Sequence, residues 1–340
     1  MAIGVLTAGG DCPGLNAAIR AVVTRLAAEG VDVVGIEKGW KGLMDGITRP
    51  LDRDAVRGIV ARGGTILGTS RIDPFVHGNG YPSVARTVEE EGIEAVVVLG
   101  GDGTLRTAAR LAREGDLRIV GLPKTIDNDI AGTDVSLGFH TAVQIVVDAI
   151  DRLTTTAESH DRIMVVEVMG RTAGWIATCS GIAGGAEAII VPEAPTEYQE
   201  LAAHLTRRHS AGHDYSLVVV AEGAPAPSGE VSTTGLDSFG FELLGGVGRE
   251  VARELEIRTG YEARVMTLGY LQRGGTPTAY DRLLGTRFGI RAAELALDGA
   301  TGVMVALRGN DVATIVMEEV VSEVRVLDPV LLEEAAWFLA

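Results

Sequence analysis

Short, almost uninterrupted runs of apolar residues recur along the chain and dominate its hydrophobic pattern. Their apolar positions rarely alternate with polar ones, which is typical of strands that are buried on both faces of a parallel sheet. Each run ends in a glycine-rich or polar turn, and a helical pattern usually follows the turn. The predicted strands comprise residues 3–6, 94–101, 118–123, 162–170, 188–193, 216–223 and 264–275.

Helical patterns lie between these runs, for example over residues 13–30 and 141–159. Repetition of strand and helix in this way predicts an α/β fold, with a largely parallel sheet and helices on its two faces. Ligands of such sheets bind at the carboxyl ends of the strands. The candidate site residues are therefore expected directly after the apolar runs.

Length and composition narrow the class of protein. With 340 residues the chain exceeds one ordinary hydrophobic core, so two domains are expected. Hydrophobic residues make up 46% and charged residues 22%, as in compact soluble proteins. The formal net charge of −16 argues against sequence-independent binding to nucleic acids or anionic membranes. An anionic substrate would need a local cluster of Arg and Lys.

Three features predict a cytoplasmic location. The two cysteines, Cys12 and Cys179, are too few for a disulfide framework and are expected to be reduced thiols. The sequence opens directly with a strand, without a basic segment before it, so no signal peptide is expected. No apolar run approaches the ~18 residues that span a bilayer.

A glycine pair follows the first predicted strand, in LTAGGDCPGLNAAIR. Gly9 and Gly10 form a tight turn, and Pro13 suits the first turn of the following helix. Glycines let backbone N–H groups approach an anion, and a helix N-terminus favours negative charge. The segment is neither a Walker A motif nor a complete GxGxxG fingerprint. It is consistent with a phosphate loop and with a simple turn.

A second glycine cluster, LGGDGTLRTAARL, also lies between a strand and a helix. Gly100, Gly101 and Gly103 surround Asp102, and glycines at this density let a polyphosphate lie against the backbone. Asp102 can hold Mg²⁺, which usually takes one or two protein carboxylates together with phosphate oxygens and water. Alternatively, Asp102 caps the helix. The pattern favours a nucleotide but occurs in more than one kinase family, so it does not identify the acceptor.

The segment GLPKTIDNDI places Lys124, Thr125, Asp127 and Asp129 directly after an apolar run. A kinase that phosphorylates a hydroxyl group needs a base aimed at that group and cations over the transferring phosphoryl group. Asp127 is the candidate base, Asp129 can support a metal or orient the loop, and Thr125 can bind a phosphate or a hydroxyl. An Asx-rich turn would explain Asn128 and Asp129, but neither the lysine nor the threonine.

Five arginines flank the apolar runs: Arg71, Arg162, Arg171, Arg264 and Arg273. Guanidinium groups bind phosphate through paired hydrogen bonds, so arginines at strand ends of an acidic protein suggest an anion site. For any single one of them, a surface ion pair is the better explanation. The five together favour the anion site.

Seven ordered blocks make this sequence similar to the 6-phosphofructokinase family. They are GGD-x-PG-x-N, GGT-x-LG-T-S-R, GGDGT, P-x-TIDND, VEVMGR-x-AGW, AEG and LG-x-x-QRGG. The match around them runs from Gly4 to about Phe288. The resemblance implies two similar α/β lobes with the active site in the cleft between them. It implies a donor lobe of residues 1–138 plus about 272–323, and a sugar-phosphate lobe of 139–271 plus about 324–340.

The resemblance also implies the activity: ATP and Mg²⁺ phosphorylate D-fructose 6-phosphate to D-fructose 1,6-bisphosphate, the committing step of glycolysis. The implied catalytic residues are Lys124, Thr125, Asp127, Asp129 and Arg171. The implied donor site comprises Gly9, Gly10, Arg71, Ile72, Gly101, Asp102, Gly103 and Thr104, with Asp102 on the metal. The implied sugar-phosphate site comprises Thr125, Ile126, Asp127, Arg162, Met169, Gly170, Arg171, Glu222, Arg264, Tyr270, Leu271, Gln272 and Arg273.

A homo-oligomer, most commonly a tetramer, is implied as well, because Arg162 and Arg264 of family members reach into the neighbouring subunit's site. Two residues depart from the usual bacterial pattern. Tyr270 replaces a histidine, which removes a pH-sensitive charge from the phosphate site. Lys124 stands where ATP-using members usually have glycine, and a lysine there is typical of the pyrophosphate-dependent branch.

Gly103 indicates the opposite donor, because in the pyrophosphate branch its position carries an aspartate that blocks the α-phosphate of ATP. An aspartate at this position would exclude ATP by its size and charge, whereas Lys124 does not block a nucleotide. Gly103 is therefore the stronger indication, and ATP is the predicted donor. The alternatives are a reversible pyrophosphate-dependent enzyme and a non-catalytic regulatory paralogue. Related acceptors such as sedoheptulose 7-phosphate also fit these pocket residues.

Overall fold

The computed structural model describes residues 2–76, 78–115, 117–236, 242–321 and 323–336. It divides into two compact units. The first unit comprises Met1–Thr141 and Arg273–Arg325, and the second comprises Ala142–Gln272 and Val326–Ala340. The last four residues of the predicted sugar-phosphate lobe, 337–340, lie outside the described part of the chain.

Strands and helices alternate through most of the chain. The strands are β1 Ala2–Thr7, β2 Asp32–Ile36, β3 Thr48–Pro50, β4 Ile93–Gly100, β5 Arg118–Pro123, β6 Ile163–Val168, β7 Ala188–Ile190, β8 Ser216–Ala221, β9 Thr233–Leu236, β10 Glu242–Leu244, β11 Ala263–Thr267, β12 Val303–Arg308 and β13 Asp311–Val316. The α-helices are α1 Leu15–Ala28, α2 Trp40–Asp45, α3 Gly80–Glu90, α4 Asp102–Glu114, α5 Phe139–Glu158, α6 Trp175–Ala183, α7 Tyr198–Ser210, α8 Val247–Thr259, α9 Ala279–Leu297, α10 Met317–Val320 and α11 Pro329–Ala336. Two 3₁₀ helices span Ile59–Ala61 and Gly269–Arg273.

The first unit is built on a seven-stranded sheet of order β13-β12-β5-β4-β1-β2-β3. Its five inner strands are parallel, and the edge strands β3 and β13 are antiparallel to their neighbours. Every residue of the central strand β4 from Ala95 to Leu99 is fully buried. Val96 and Val98 pack with Leu105 of α4, whereas the pleat turns their neighbours to the opposite face. Burial on both faces therefore explains the uninterrupted apolar run.

The second unit has a parallel four-stranded sheet of order β11-β6-β8-β7. Strands β9 and β10 form a separate antiparallel ribbon. Helices α7 and α8 pack against each other, and α8 also packs on β6 and β11. The predicted α/β class, with parallel sheets flanked by helices, is confirmed in both units.

Two buried carboxylates hold the first turns of helices. Asp281 accepts hydrogen bonds from the backbone N–H groups of Gly138 (2.9 Å) and Thr141 (2.7 Å) at the start of α5. Glu167 of β6 accepts from the N–H groups of Gly246 (3.1 Å) and Gly248 (2.7 Å) at the start of α8. Negative charge is favourable at these positions because the N–H groups of a first helical turn lack partners within the helix. Burial nevertheless raises the pKa of Asp281 above its usual range.

The structure corrects two parts of the predicted element pattern. The run at residues 264–275 is not one strand, because β11 ends at Thr267 and the chain then turns into the second 3₁₀ helix. Strands β2, β3, β12 and β13 of the first sheet, and the ribbon strands β9 and β10, were not predicted. No helix among the described residues is both long and apolar enough to cross a bilayer.

Candidate active site

The carboxyl ends of β1, β4 and β5 meet at one edge of the first sheet. Two backbone hydrogen bonds continue the ladder beyond the strands, from Ala8 N to Leu99 O (3.0 Å) and from Lys124 N to Gly100 O (2.9 Å). The first glycine turn, the second glycine cluster and the Lys124–Asp129 segment are therefore neighbours in space. Their proximity agrees with the expectation that the polar residues after these strands lie together.

The first glycine turn is held by a later loop of the same unit. The N–H group of Gly9 donates to Ser70 O at 2.9 Å, and Thr69 Oγ1 donates to Gly9 O at 2.5 Å. Arg71, which is exposed, and Ile72 follow directly after this contact. The predicted donor-site residues on the two loops are thus tied to one another through the backbone.

Lys124 turns inward, towards the glycine turn. Its side chain is buried, and its ammonium group donates to Ala8 O at 3.0 Å and to Gly10 O. Burial is the main reason why the pKa of Lys124 falls to about 8, because an apolar environment disfavours the charged form. In this structure the lysine therefore stabilises the backbone of the turn. The catalytic role implied for Lys124 stays a prediction.

Asp127, the candidate base, is buried and only partly paired. Its Oδ2 accepts a hydrogen bond from Thr125 Oγ1 at 3.2 Å, and its N–H group donates to the same hydroxyl at 3.1 Å. Its Oδ1 is buried and has no hydrogen-bond partner among the described residues. An unpaired buried carboxylate oxygen costs free energy, so such an atom is usually explained by a ligand or a catalytic role.

The rest of the loop is closed by its own side chains. Asn128 has φ = +56°, a left-handed conformation that asparagine tolerates better than most residues. Its Oδ1 accepts from Ser136 N at 2.9 Å, and Ser136 Oγ donates to Thr125 O at 2.7 Å. The backbone carbonyl of Asp129 accepts from Arg325 N at 2.9 Å. These bonds hold the carboxylate of Asp127 in a fixed position.

Asp102 begins helix α4 and is the one predicted metal ligand. Its carboxylate accepts from Arg106 Nη2 at 2.9 and 3.2 Å. No group of three His, Cys, Asp or Glu side chains in the described ranges is arranged to hold a metal ion. A single carboxylate fits Mg²⁺ when phosphates and waters supply the other ligands, and does not fit a metal held by the protein alone.

A cavity of about 350 Å³ opens beside Gly103. It is lined in part by Phe75 and by three arginines, Arg106, Arg110 and Arg113. The guanidinium carbon of Arg110 lies 3.8 Å from the centroid of the Phe75 ring. A Cβ atom built on Gly103 would meet no other atom within 4 Å, so the glycine leaves this side of the turn open. Asp73 and Glu318 also line the cavity, and each of the three arginines pairs with a carboxylate, so the lining carries charges of both signs.

The second unit presents its own residues at the carboxyl ends of β6 and β8. Met169, Gly170 and Arg171 follow β6, and Glu222 follows β8. Arg171 has φ = +53°, a strained conformation for this residue type, and its N–H group donates to a carboxylate oxygen of Glu222 at 3.1 Å. Backbone strain of this kind is concentrated at functional sites.

Two predicted sugar-phosphate residues are buried too deeply for direct side-chain contact with a substrate. Gln272 is fully buried, and its amide group is hydrogen-bonded to Met169 N (3.3 Å) and Gly269 O (3.2 Å). The Ile126 side chain is also fully buried. These side chains position the backbone around them. Tyr270 and Leu271, by contrast, are 72% and 66% exposed.

Arg273 lies in the first unit, against the first glycine turn. Its Nη1 donates to Asp11 O at 3.5 Å, and a Cβ atom on Gly10 would collide with its guanidinium group. The buried Nε of Arg273 has no hydrogen-bond partner among the described residues. Arg273 was predicted to bind the sugar phosphate, but here it contacts the predicted donor turn.

Arg162 and Arg264 lie at the amino ends of β6 and β11, not with the other residues of the second unit. They are separated from the Met169–Arg171 turn by the length of β6, which is about 20 Å for six residues. Both arginines pair with the carboxylate of Glu262, Arg162 Nε at 2.7 Å from Oε2 and Arg264 Nη2 with Oε1. Within the second unit, the predicted sugar-phosphate residues therefore divide between two edges of one sheet.

Some site residues were not predicted. Glu193 accepts hydrogen bonds from Gly174 N (2.9 Å) and Leu327 N (3.0 Å), and so ties the turn after Arg171 to the C-terminal segment. Its one sequence signal is an acidic residue at the end of a short apolar run. Phe75 and Arg110, which line the cavity, belong to none of the ordered sequence motifs. The available sequence signal was the helical spacing of Arg106, Arg110 and Arg113, which places them on one face of α4.

The comparisons with known proteins agree with this geometry. The Phosphofructokinase family model matches residues 2–296. ATP-dependent 6-phosphofructokinase 3 of Streptomyces coelicolor is 51% identical over 338 residues, covering 98% of this chain and 99% of that protein. Pyrophosphate–fructose 6-phosphate 1-phosphotransferase of Amycolatopsis methanolica is 50% identical over 341 residues, covering 99% of each.

A solved structure gives the same result for the fold. Phosphofructokinase from Pichia pastoris in the T-state matches with a TM-score of 0.84 at 33% identity, over 94% of this chain. This chain spans only 35% of that longer one. A family model over most of the chain, and relatives that are half identical over nearly its full length, show that the chain belongs to the phosphofructokinase family.

Proposed function

We propose that this protein is a kinase that transfers the terminal phosphoryl group of ATP to the 1-hydroxyl of fructose 6-phosphate. The observation that supports the chemistry best is the buried, unpartnered Oδ1 of Asp127 beside two glycine turns. The carboxylate accepts the proton of the sugar hydroxyl, whose oxygen then attacks the terminal phosphorus while ADP leaves. Thr125 and the closed loop around Asn128 hold the carboxylate in place.

The negative charge of the transferring group requires cations. Arg71, after the loop that binds Gly9, and Arg171, in its strained turn, are the proposed protein cations. Mg²⁺, which phosphofructokinases generally use, would be held by Asp102 and would neutralise charge on the donor phosphates. To bind it, Asp102 has to exchange its bond with Arg106, which lies in an exposed ion pair and is weakly held.

The cavity beside Gly103 favours ATP over pyrophosphate, since only a nucleotide has an aromatic ring to place near Phe75 and Arg110. Identity does not decide the donor, because relatives named for either donor are about equally similar. Lys124 is the observation that favours pyrophosphate. Its ammonium group, however, is bonded to the carbonyls of the first glycine turn, where it serves either donor.

We further propose a cytoplasmic homo-oligomer, most simply a tetramer, that binds neither nucleic acids nor membranes. The separation of Arg162 and Arg264 from the carboxyl ends of their strands supports a site completed by a neighbouring subunit. The net charge of −16 disfavours nucleic acids and anionic lipids. Neither Cys12 nor Cys179 is in a disulfide, as expected in a reducing compartment.

The direct test is a donor exchange. Purified protein is mixed with fructose 6-phosphate and Mg²⁺, and fructose 1,6-bisphosphate is measured with ATP alone or pyrophosphate alone. We expect ATP to give the higher kcat/KM. Faster turnover with pyrophosphate at saturation would replace our assignment with the pyrophosphate-dependent reaction.

Replacing Asp127 with Asn should lower kcat by about 10²–10⁴-fold and change substrate binding little, because a general base contributes about that factor. Steady-state kinetics give kcat, and calorimetry gives the Kd for fructose 6-phosphate. The matched control is Asp134→Asn, the same change on the same loop at a carboxylate that pairs with Arg308. A kcat for Asp127→Asn within a few-fold of the control would assign the base elsewhere.

Replacing Gly103 with Asp should abolish most ATP turnover. The new carboxylate would project into the cavity beside the donor phosphates, where like charges a few ångströms apart repel by about 1–4 kcal/mol. The fold should tolerate the change, since nothing lies within 4 Å of the added Cβ. Gly78→Asp is the control, because Gly78 is also open and has no left-handed φ. If both variants kept wild-type KM and kcat for ATP, Gly103 would not face the donor.

The pH profile of ATP turnover should show a basic limb near the lowered pKa of Lys124, about 8. The ammonium group is charged below that pH and becomes neutral as the pH rises through it, which weakens its two carbonyl contacts. Lys124→Met should turn over more slowly and lack this limb. Lys41→Met, at an exposed lysine paired with Asp45, should keep it. Persistence of the limb in Lys124→Met would assign it to another group.

Complementation tests the shared site. Arg162→Ala and Asp127→Ser chains are mixed and allowed to exchange subunits. About a quarter of the sites then combine an intact Asp127 with an intact Arg162 from the neighbour, so activity should exceed that of either variant alone. Mixing Asp127→Ser with Asp102→Asn is the control, since both residues lie at one sheet edge of one chain and no recovery is expected. Absence of recovery with Arg162→Ala, despite proven subunit exchange, would argue for a site within one chain.

A further inference from the structure

Glu262 pairs with two arginines from different parts of the sequence. Arg162 lies 100 residues before Glu262, and Arg264 lies two residues after it. Arg162 precedes β6 and Arg264 lies in β11, and each pairs with a different oxygen of the Glu262 carboxylate. We propose that Glu262 is a built-in counter-anion, which occupies this two-arginine site and weakens its affinity for the phosphate group of fructose 6-phosphate. The proposal rests on the proposed function, in which both arginines bind the sugar phosphate.

The backbone, not Glu262, brings the two arginines together. Strands β6 and β11 are parallel neighbours, with Ile163 paired to Ala263 and Met164 to Arg264. Adjacent strands lie about 4.8 Å apart, so side chains at this end of the pair are close whatever residue 262 is. Further backbone bonds fix the same region, from Ile163 N to Glu262 O at 3.0 Å and from Ser216 N to Arg162 O at 3.1 Å. Loss of the Glu262 charge therefore leaves the arginines in place.

The charges of Arg162, Arg264 and Glu262 do not cancel. Two guanidinium groups share one carboxylate, which leaves a net charge of +1 for an incoming anion. All three side chains reach solvent: Arg162, Glu262 and Arg264 are 28%, 38% and 52% exposed. A phosphate group carries more charge and one more oxygen than the carboxylate, so it can displace Glu262 from both arginines. The displaced carboxylate then stays nearby and repels the phosphate.

Glu262→Gln tests this role, because the amide keeps a hydrogen-bonding oxygen and loses the charge. We expect the KM and the calorimetric Kd for fructose 6-phosphate to fall by about 1.5- to fivefold, the range of one partly exposed charge interaction. The KM for ATP should stay at the wild-type value. Raising KCl to about 0.5 M should reduce the difference from wild type, because salt screens exposed charges.

The control is Glu94→Gln, which removes the charge from a similar partly exposed pair with Arg118 in the first unit. It should leave both KM values at the wild-type level. A higher KM or Kd for fructose 6-phosphate in Glu262→Gln would show that Glu262 orients the arginines, and would overturn the proposal. Unchanged values, or an equal change for ATP, would also overturn it.

Failure of the proposed function has a separate signature. If wild type formed no fructose 1,6-bisphosphate with either donor, the kinase assignment would fail. The calorimetric Kd for fructose 6-phosphate would still compare Glu262→Gln with wild type. Tighter binding by the variant supports the counter-anion, and equal or weaker binding, or none by either protein, refutes it.

Discussion

Parallel pairing of β1, β4 and β5 is the constraint on which the candidate site depends. Parallel neighbours end at the same edge, so three loops that are far apart in sequence meet there without any contact of their own. The same pairing buries both faces of β4, from Ala95 to Leu99, and leaves the strand ends as the places where polar side chains can act. Asp127 lies at this edge because its loop follows directly after β5.

Two charged residues, Lys124 and Asp127, are buried at this edge of the sheet. Lys124 loses hydration, which lowers its pKa, and its ammonium group is compensated by two backbone carbonyls of the first glycine turn. Asp127 is compensated on one oxygen only. The lysine is therefore satisfied within the protein, whereas one oxygen of the aspartate has no partner among the described residues. The two side chains, three residues apart, thus differ in how completely hydrogen bonds compensate their burial.

Sequence patterns predicted the parts of the structure that depend on local or repeated signals. Uninterrupted apolar runs gave the buried strands β4, β5, β6 and β8, and ordered motifs gave the family. Strand β13 lacks that run because its residues are exposed or half-buried. Strand β12 has the run, with buried residues from Met304 to Leu307, and was missed although the signal was present. The second 3₁₀ helix was read as strand, since its leucine and tyrosine resemble a continuation of β11 although both are exposed.

Side-chain direction was the least predictable property of the site, because it depends on packing between distant segments. The side chain of a lysine after a strand can point to solvent or, like that of Lys124, bind the backbone of the neighbouring turn. The motif does not distinguish these two directions. Gln272 was predicted to contact substrate, yet its full burial depends on a bond to Met169, 103 residues away. The motifs thus predicted which loops lie together, but not the direction of the individual side chains on them.

In the second unit, the strand end at which an arginine lies determines which residues it can act with. Arg171 and Arg162 are both arginines beside β6, and the family resemblance implied that both bind the sugar phosphate, with Arg162 reaching into a neighbouring subunit's site. They lie at opposite ends of a six-residue strand, about 20 Å apart along it. An arginine side chain spans only a fraction of that length, so one phosphate cannot bind both within this sheet.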